Sequence, residues 1–214
     1  IGVRLVGSEM CIRDSYIGAS TPNQNVISGN INNGIQVWSS NTSIEGNIVG
    51  LSFDQTTAIA NQSHGIEINT DNIIIGGVTE NIIAANAGNG IYLNNVIGCD
   101  IDRCIIGTNT SLALGLGNGA SGIHVNSGSD NDIGITYSNI IVGHNNGGFA
   151  GITIDAGTGV WMQNNYIGLS STGVVNSNNH GIQLINAASS NFIGDILALH
   201  RNVISGNSNA GVLI

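Results

Sequence analysis

One six-residue phrase occurs twice without change, as Asn25-Val26-Ile27-Ser28-Gly29-Asn30 and as Asn202-Val203-Ile204-Ser205-Gly206-Asn207. Looser copies begin at Asn81 and Asn139, so the phrase recurs at steps of 56, 58 and 63 residues. A step that short is not a globular domain. Repeated along a chain, it constrains the fold to a solenoid whose units are stabilised by their neighbours.

A second series interleaves with the first. Gly-Ile, once Gly-Val, recurs at Gly34, Gly65, Gly90, Gly122, Gly151, Gly181 and Gly211. Each copy reads Gly-apolar-x-apolar, as in Gly65-Ile66-Glu67-Ile68, and alternation at period two marks a strand with one buried face. The glycine is expected to supply a tight turn into the strand. Two such strands fit each long step, so the long repeat is a pair of coils, one compact and one carrying a loop. Stacked coils place parallel strands about 4.8 Å apart. Two apolar columns then face inward. One runs from Ile35 through Ile66, Ile91, Ile123, Ile152 and Ile182 to Val212; the other runs from Val37 through Ile68, Leu93, Val125, Ile154 and Leu184 to Ile214. Each such side chain contributes roughly 1.5–3 kcal/mol when buried, which supports the fold only with neighbours on both sides.

The Asn-Val-Ile-Ser-Gly-Asn and Asn-Gly-Ile phrasing resembles the right-handed parallel β-helix repeats of the pectin/pectate-lyase-like superfamily, over residues 16–214. It is most similar to Asn- and Gly-rich repeats of large secreted or surface-attached bacterial proteins. The resemblance implies an all-β, right-handed parallel β-helix, a single-stranded solenoid of about seven coils. It does not imply one activity, since that superfamily holds lyases, hydrolases, epimerases and non-catalytic stalks. Neither end carries a polar capping unit, so the chain is expected to continue into a parent solenoid at both ends. Residues 1–15 fall outside the pattern, resemble translated sequencing-adapter read-through, and are expected to be a disordered leader without function.

Composition narrows the partners. The chain has no Lys and a net charge of −9, which argues against nucleic acid and anionic membrane, both of which need basic patches. No apolar run is long enough for a membrane span. Acidic polysaccharides would be repelled unless calcium bridged the charges. The resemblance implies a place outside the cell or on its surface.

The column Asn25, Asn47, Asn81, Cys104, Asn139, Asn165, Asn202 precedes the middle strands. Stacked amides there can bond one another and the backbone, and the resemblance implies the same, an asparagine ladder. Cys104 interrupts it, and with Cys99 forms either a disulfide or a reduced, packed pair. Loops at 51–63, 108–121 and 169–180 are expected to project from one side, stack, and pack on their own Ile59, Leu114, Leu116 and Val174.

For a site, the outward row of the Gly-Ile strands is the best place: Gln36, Glu67, Tyr92, His124, Thr153 and Gln183, with Trp38, Asn69, Asn94, Asn126 and Asp155 beside it. Of these, Glu67, Tyr92, His124, Asn126 and Asp155 are the ligand-binding candidates, since aromatic and amide groups on a flat face suit sugars; the plainer reading is a solvated sheet face. No catalytic residue is assigned. Glu67 and Asp155 are three coils apart, about 14 Å, whereas a hydrolytic pair needs roughly 5–9.5 Å. Glu80, Asp100 and Asp102 are the candidates for a calcium site, with Arg103 nearby as a base by the logic of β-helix lyases. A surface Glu80–Arg103 ion pair explains the same residues more simply. Asp130 and Asp132 read as turn residues, as do His64 and His180, while His144 replaces the Asn that closes the repeated phrase. No cofactor is expected beyond that calcium. The function these readings favour is a non-catalytic, structural or adhesive rod with a weakly carbohydrate-binding face. The alternative is part of a lyase or epimerase acting on acidic glycans.

Overall fold

The structure is a computed structural model and describes residues 15–18, 23–197 and 200–214. Three parallel sheets of seven strands run along it, and each coil contributes one strand to each sheet. The first sheet runs from Ser15–Gly18 to Phe192–Ile193, the second from Asn25–Ile27 to Val203–Ile204, and the third from Ile35–Val37 to Val212–Leu213. Seven levels are joined by six complete turns. No α-helix occurs among the described residues. The leader expected over residues 1–15 lies outside the described residues except for Ser15, which pairs with Thr42 in the first sheet and so belongs to the solenoid.

Both inward columns of the third sheet meet in register. Ile35 pairs with Ile66, Ile66 with Ile91, Ile91 with Ile123, and so on to Ile182 with Val212. Ile66, Ile91, Ile123, Ile152 and Ile182 are fully buried. Val212 and Ile214 are exposed, because no described coil lies over them. Apolar residues of all three sheets join them in one continuous core.

The Gly-Ile glycines serve close approach rather than a turn. None of the six from Gly34 to Gly181 has a left-handed φ, yet a Cβ on each would meet the carbonyl oxygen of the corresponding glycine one coil on, at 2.4–2.9 Å. The turns are made elsewhere. In coils without a loop, the second residue after the middle strand is left-handed: Gly29, Ala85, Gly143 and Gly206. In coils with a loop it is the first: Gly50, Gly107 and Gly168. One residue of offset thus decides whether the chain turns inward at once or leaves to make a loop.

Asparagine ladders satisfy the polar groups inside these turns. In the expected file, Asn25 Nδ2 donates to Asn47 Oδ1 at 3.0 Å, Asn47 to Asn81 at 3.1 Å, Asn139 to Asn165 at 2.9 Å and Asn165 to Asn202 at 3.0 Å. Cys104 takes one rung, its backbone N–H donating to Asn139 Oδ1 and its thiol directed at the carbonyl of Asp102. Cys99 and Cys104 are both buried and free, so the reduced alternative holds.

A second, unforeseen ladder follows the left-handed turn: Asn30, Asn61, Asn86, Asn118, His144, Asn178 and Asn207 are linked rung to rung. At His144 the Nε2 accepts from Asn118 Nδ2 and the Nδ1–H donates to Asn178 Oδ1, the one neutral tautomer that serves both neighbours.

The first two loops stack as expected: Gln55 of the first accepts from Asn109 and Thr110 of the second. They are not self-packed. Leu51 and Leu116 join Ile48, Ile82, Ala84 and Ile105 on the outer face of the second sheet, making a second apolar cluster there. Ile59, Leu114 and Val174 point to solvent instead.

Candidate functional site

The outward row of the third sheet assembles in the expected register. Gln36 lies beside Glu67, Glu67 beside Tyr92, Tyr92 beside His124, and His124 beside Thr153. Two residues along, Asn126 lies between Asn94 and Asp155. Strand alternation puts all of them on the face away from the core, where Thr153 is buried and the others are partly or largely exposed.

His64 belongs to this group, although its sequence position suggested only a turn. Its Nδ1 accepts the backbone N–H of Asn89 at 3.0 Å, as Asn33 Oδ1 does for His64 one coil earlier. That bond fixes the imidazole flat against Tyr92, with ring centroids 4.6 Å apart and an interplanar angle of 11°. On the other side Tyr92 meets His124 at 5.3 Å and 70°. One face of Tyr92 is therefore covered by His64, and His124 makes an edge contact with the ring. Trp38, two-thirds exposed, is the free aromatic surface at this face.

Carboxylates flank the aromatic trio. Glu67 accepts from Asn33, Gln36 and Asn69, and Asp155 accepts from Asn186 Nδ2 at 2.8 Å. Asn69, Asn94 and Asn126 form an external amide file, each donating to the one before. Asp155 Oδ2 also stands 3.8 Å from His124 Nε2, which is buried with no hydrogen-bond partner. Burial lowers the proton affinity of His64 and His124, partly opposed by Glu67 and Asp155 respectively. Burial first, then those same two carboxylates, raises that of Tyr92. All three shifts favour the uncharged forms of His64, Tyr92 and His124 at neutral pH.

This face presents donors and acceptors at regular intervals. Glu67 and Asp155 are separated by three strand steps, or about 14 Å, as the repeat spacing requires.

The proposed calcium ligands do not converge. Asp102 turns to the backbone N–H groups of Thr136 and Tyr137. Asp100 faces outward on the first sheet, opposite Asp132. Glu80 lines a cleft with Arg103. Among the described residues no three His, Cys, Asp or Glu side chains are grouped to hold a metal. Nor do Glu80 and Arg103 form the expected ion pair: the guanidinium lies 4.2 Å over the Tyr137 ring and donates to the carbonyl of Val78. Asp132 is a strand residue and not a turn residue. Burial, then Asp100, Asp102 and Asp130 in that order, push its carboxyl up to about 6. No protein-family model matches this chain, and no curated protein or solved structure matches it significantly.

Proposed function

We propose that this solenoid is a non-catalytic structural or adhesive segment of a secreted or cell-surface bacterial protein, and that its third-sheet face binds neutral polysaccharide weakly. Right-handed winding and kinship with the pectin-lyase-like superfamily belong to the same proposal, carried by the Asn-Val-Ile-Ser-Gly-Asn phrasing and by the strong preference of parallel crossovers for that hand. The observation that supports it best is the outward polar face of the third sheet. Glu67, Tyr92, His124, Asn126 and Asp155 stand in two adjacent files at strand spacing, beside an exposed Trp38. Such a face offers an extended glycan many modest contacts along the rod. Its neutral ladder amides suit hydroxyl groups, and the net charge of −9 disfavours acidic chains.

Affinity electrophoresis in gels containing a neutral β-glucan tests this directly. The protein is expected to be retarded, and a Trp38→Ala/Asn126→Ala double variant to run freely. Equal mobility with and without the glucan contradicts the binding role. A lyase acting on acidic glycans would instead raise unsaturated-uronate absorbance on pectin or alginate with calcium.

A further inference from the structure

The outer face of the second sheet is covered unevenly. Loops at 51–63 and 108–121 lie over Ile48, Ile82 and Ile105, whereas Ile140, one strand further, is only half-buried. A cleft of about 220 Å³ opens there, walled by Glu80, Arg103, Tyr137 and Ser171 and floored by Ile105 and Ile140.

Arg103 is the unusual residue. Its φ is +47°, a left-handed conformation that Gly46 and Asn164 adopt at the same place two coils before and two coils after. Glycine and asparagine accept that conformation readily; arginine gains nothing local from it. Backbone strain of this kind concentrates where a side chain has a task. The task is not an internal ion pair. Asp102, its chain neighbour, is committed to Thr136 and Tyr137. No ion pair within 4.0 Å joins Arg103 to a carboxylate among the described residues. One N–H is used on Val78 and the ring of Tyr137 supports the guanidinium plane, leaving four N–H donors. One coil before and in the same register, Glu80 also lines the cleft and lacks an ion-pair partner among the described residues. A cation and an anion thus face one small cleft without neutralising each other.

We infer that this cleft binds a zwitterion of the α-amino acid class, with its carboxylate on Arg103, its ammonium on Glu80 and an aliphatic side chain on Ile105 and Ile140. A planar carboxylate matches the guanidinium fork. A simple anion would leave Glu80 opposing it, and a neutral sugar would leave both charges without a counter-charge. The site is separate from the third-sheet face and does not depend on its role.

Titration of ¹⁵N-labelled protein tests the assignment, with L-leucine as the probe and 4-methylpentanoate, 3-methylbutylamine and glucose as comparisons. Leucine is expected to shift the amides of Tyr137, Ser138 and Ile140 saturably, and the three comparison compounds to bind at least about tenfold more weakly. Arg103→Gly, which fits the backbone, and Glu80→Gln are each expected to weaken leucine at least about tenfold while the spectrum stays dispersed. A site for anions would respond equally to methylpentanoate, and a sugar site would respond to glucose. Either outcome overturns the inference, as does the absence of a saturable leucine response or unchanged leucine binding in both variants.

Discussion

His144 occupies a rung that six asparagines fill elsewhere in the second ladder. Burial holds it at about 4, against an ordinary 6.5. The unfolded chain therefore takes up this proton before the folded one. Its contribution to stability is complete above about pH 6.5 and declines by about 1.4 kcal/mol per unit as the pH falls to about 4. Thermal melts at pH 7 and 4.5 should show wild-type protein losing about 3 kcal/mol more than His144→Asn. Equal losses would mean that the imidazole is not a buried neutral rung. Asp132 acts with the opposite sign. Its folded value of about 6 lies above the ordinary 3.8, so it disfavours folding at neutral pH and ceases to do so once both states are protonated. After discounting for solvent screening, Asp132→Asn should stabilise by about 1 kcal/mol at pH 7 and have no effect at pH 3, as denaturant midpoints would show. Asn139 feeds the backbone N–H of Cys104 and the carbonyl of Ile101. Asn139→Ala leaves the Cys104 N–H buried and unpaired, while the Ile101 carbonyl keeps the N–H of Gly134, and should cost about 2 kcal/mol, measured by the same midpoints.

At the scale of elements, strands and turns are matched by contacts between coils rather than by local preference. A Cβ on Gly122 would meet Gly151 O and Ile141 Cγ2, both at 2.6 Å. Gly122→Ala should therefore cost about 3 kcal/mol through overpacking. Gly115→Ala, in a loop with nothing within 4 Å, should cost only about 1 kcal/mol through its left-handed φ. Chemical unfolding of both variants distinguishes spacing from turn-making. The strands, their register and the first ladder were legible because Gly-apolar-x-apolar and the repeated phrase keep a constant spacing to the core. The second ladder was hidden, because the loops insert between its left-handed turn and its asparagine in every second coil and push Asn61, Asn118 and Asn178 out of phase. The outward row was legible from alternation, but not the role of His64, which depends on an imidazole nitrogen standing in for an amide oxygen. Nor does spacing reveal that Arg103 lies over Tyr137, because Asp102 sets that position from the coil before.

For the whole molecule, every coil touches mainly the coils on either side, so stability is distributed along the axis and function rests on faces that run its length. The central claim is that successive coils stack in fixed register. Nitroxide labels at Gln36 and Gln183 would sit in one outward file, five strand steps apart. Electron–electron dipolar spectroscopy should then give a narrow distribution near 24 Å, about five times the 4.8 Å strand spacing, plus the label tethers. A broad distribution, or one centred far from that value, would contradict the stacked solenoid.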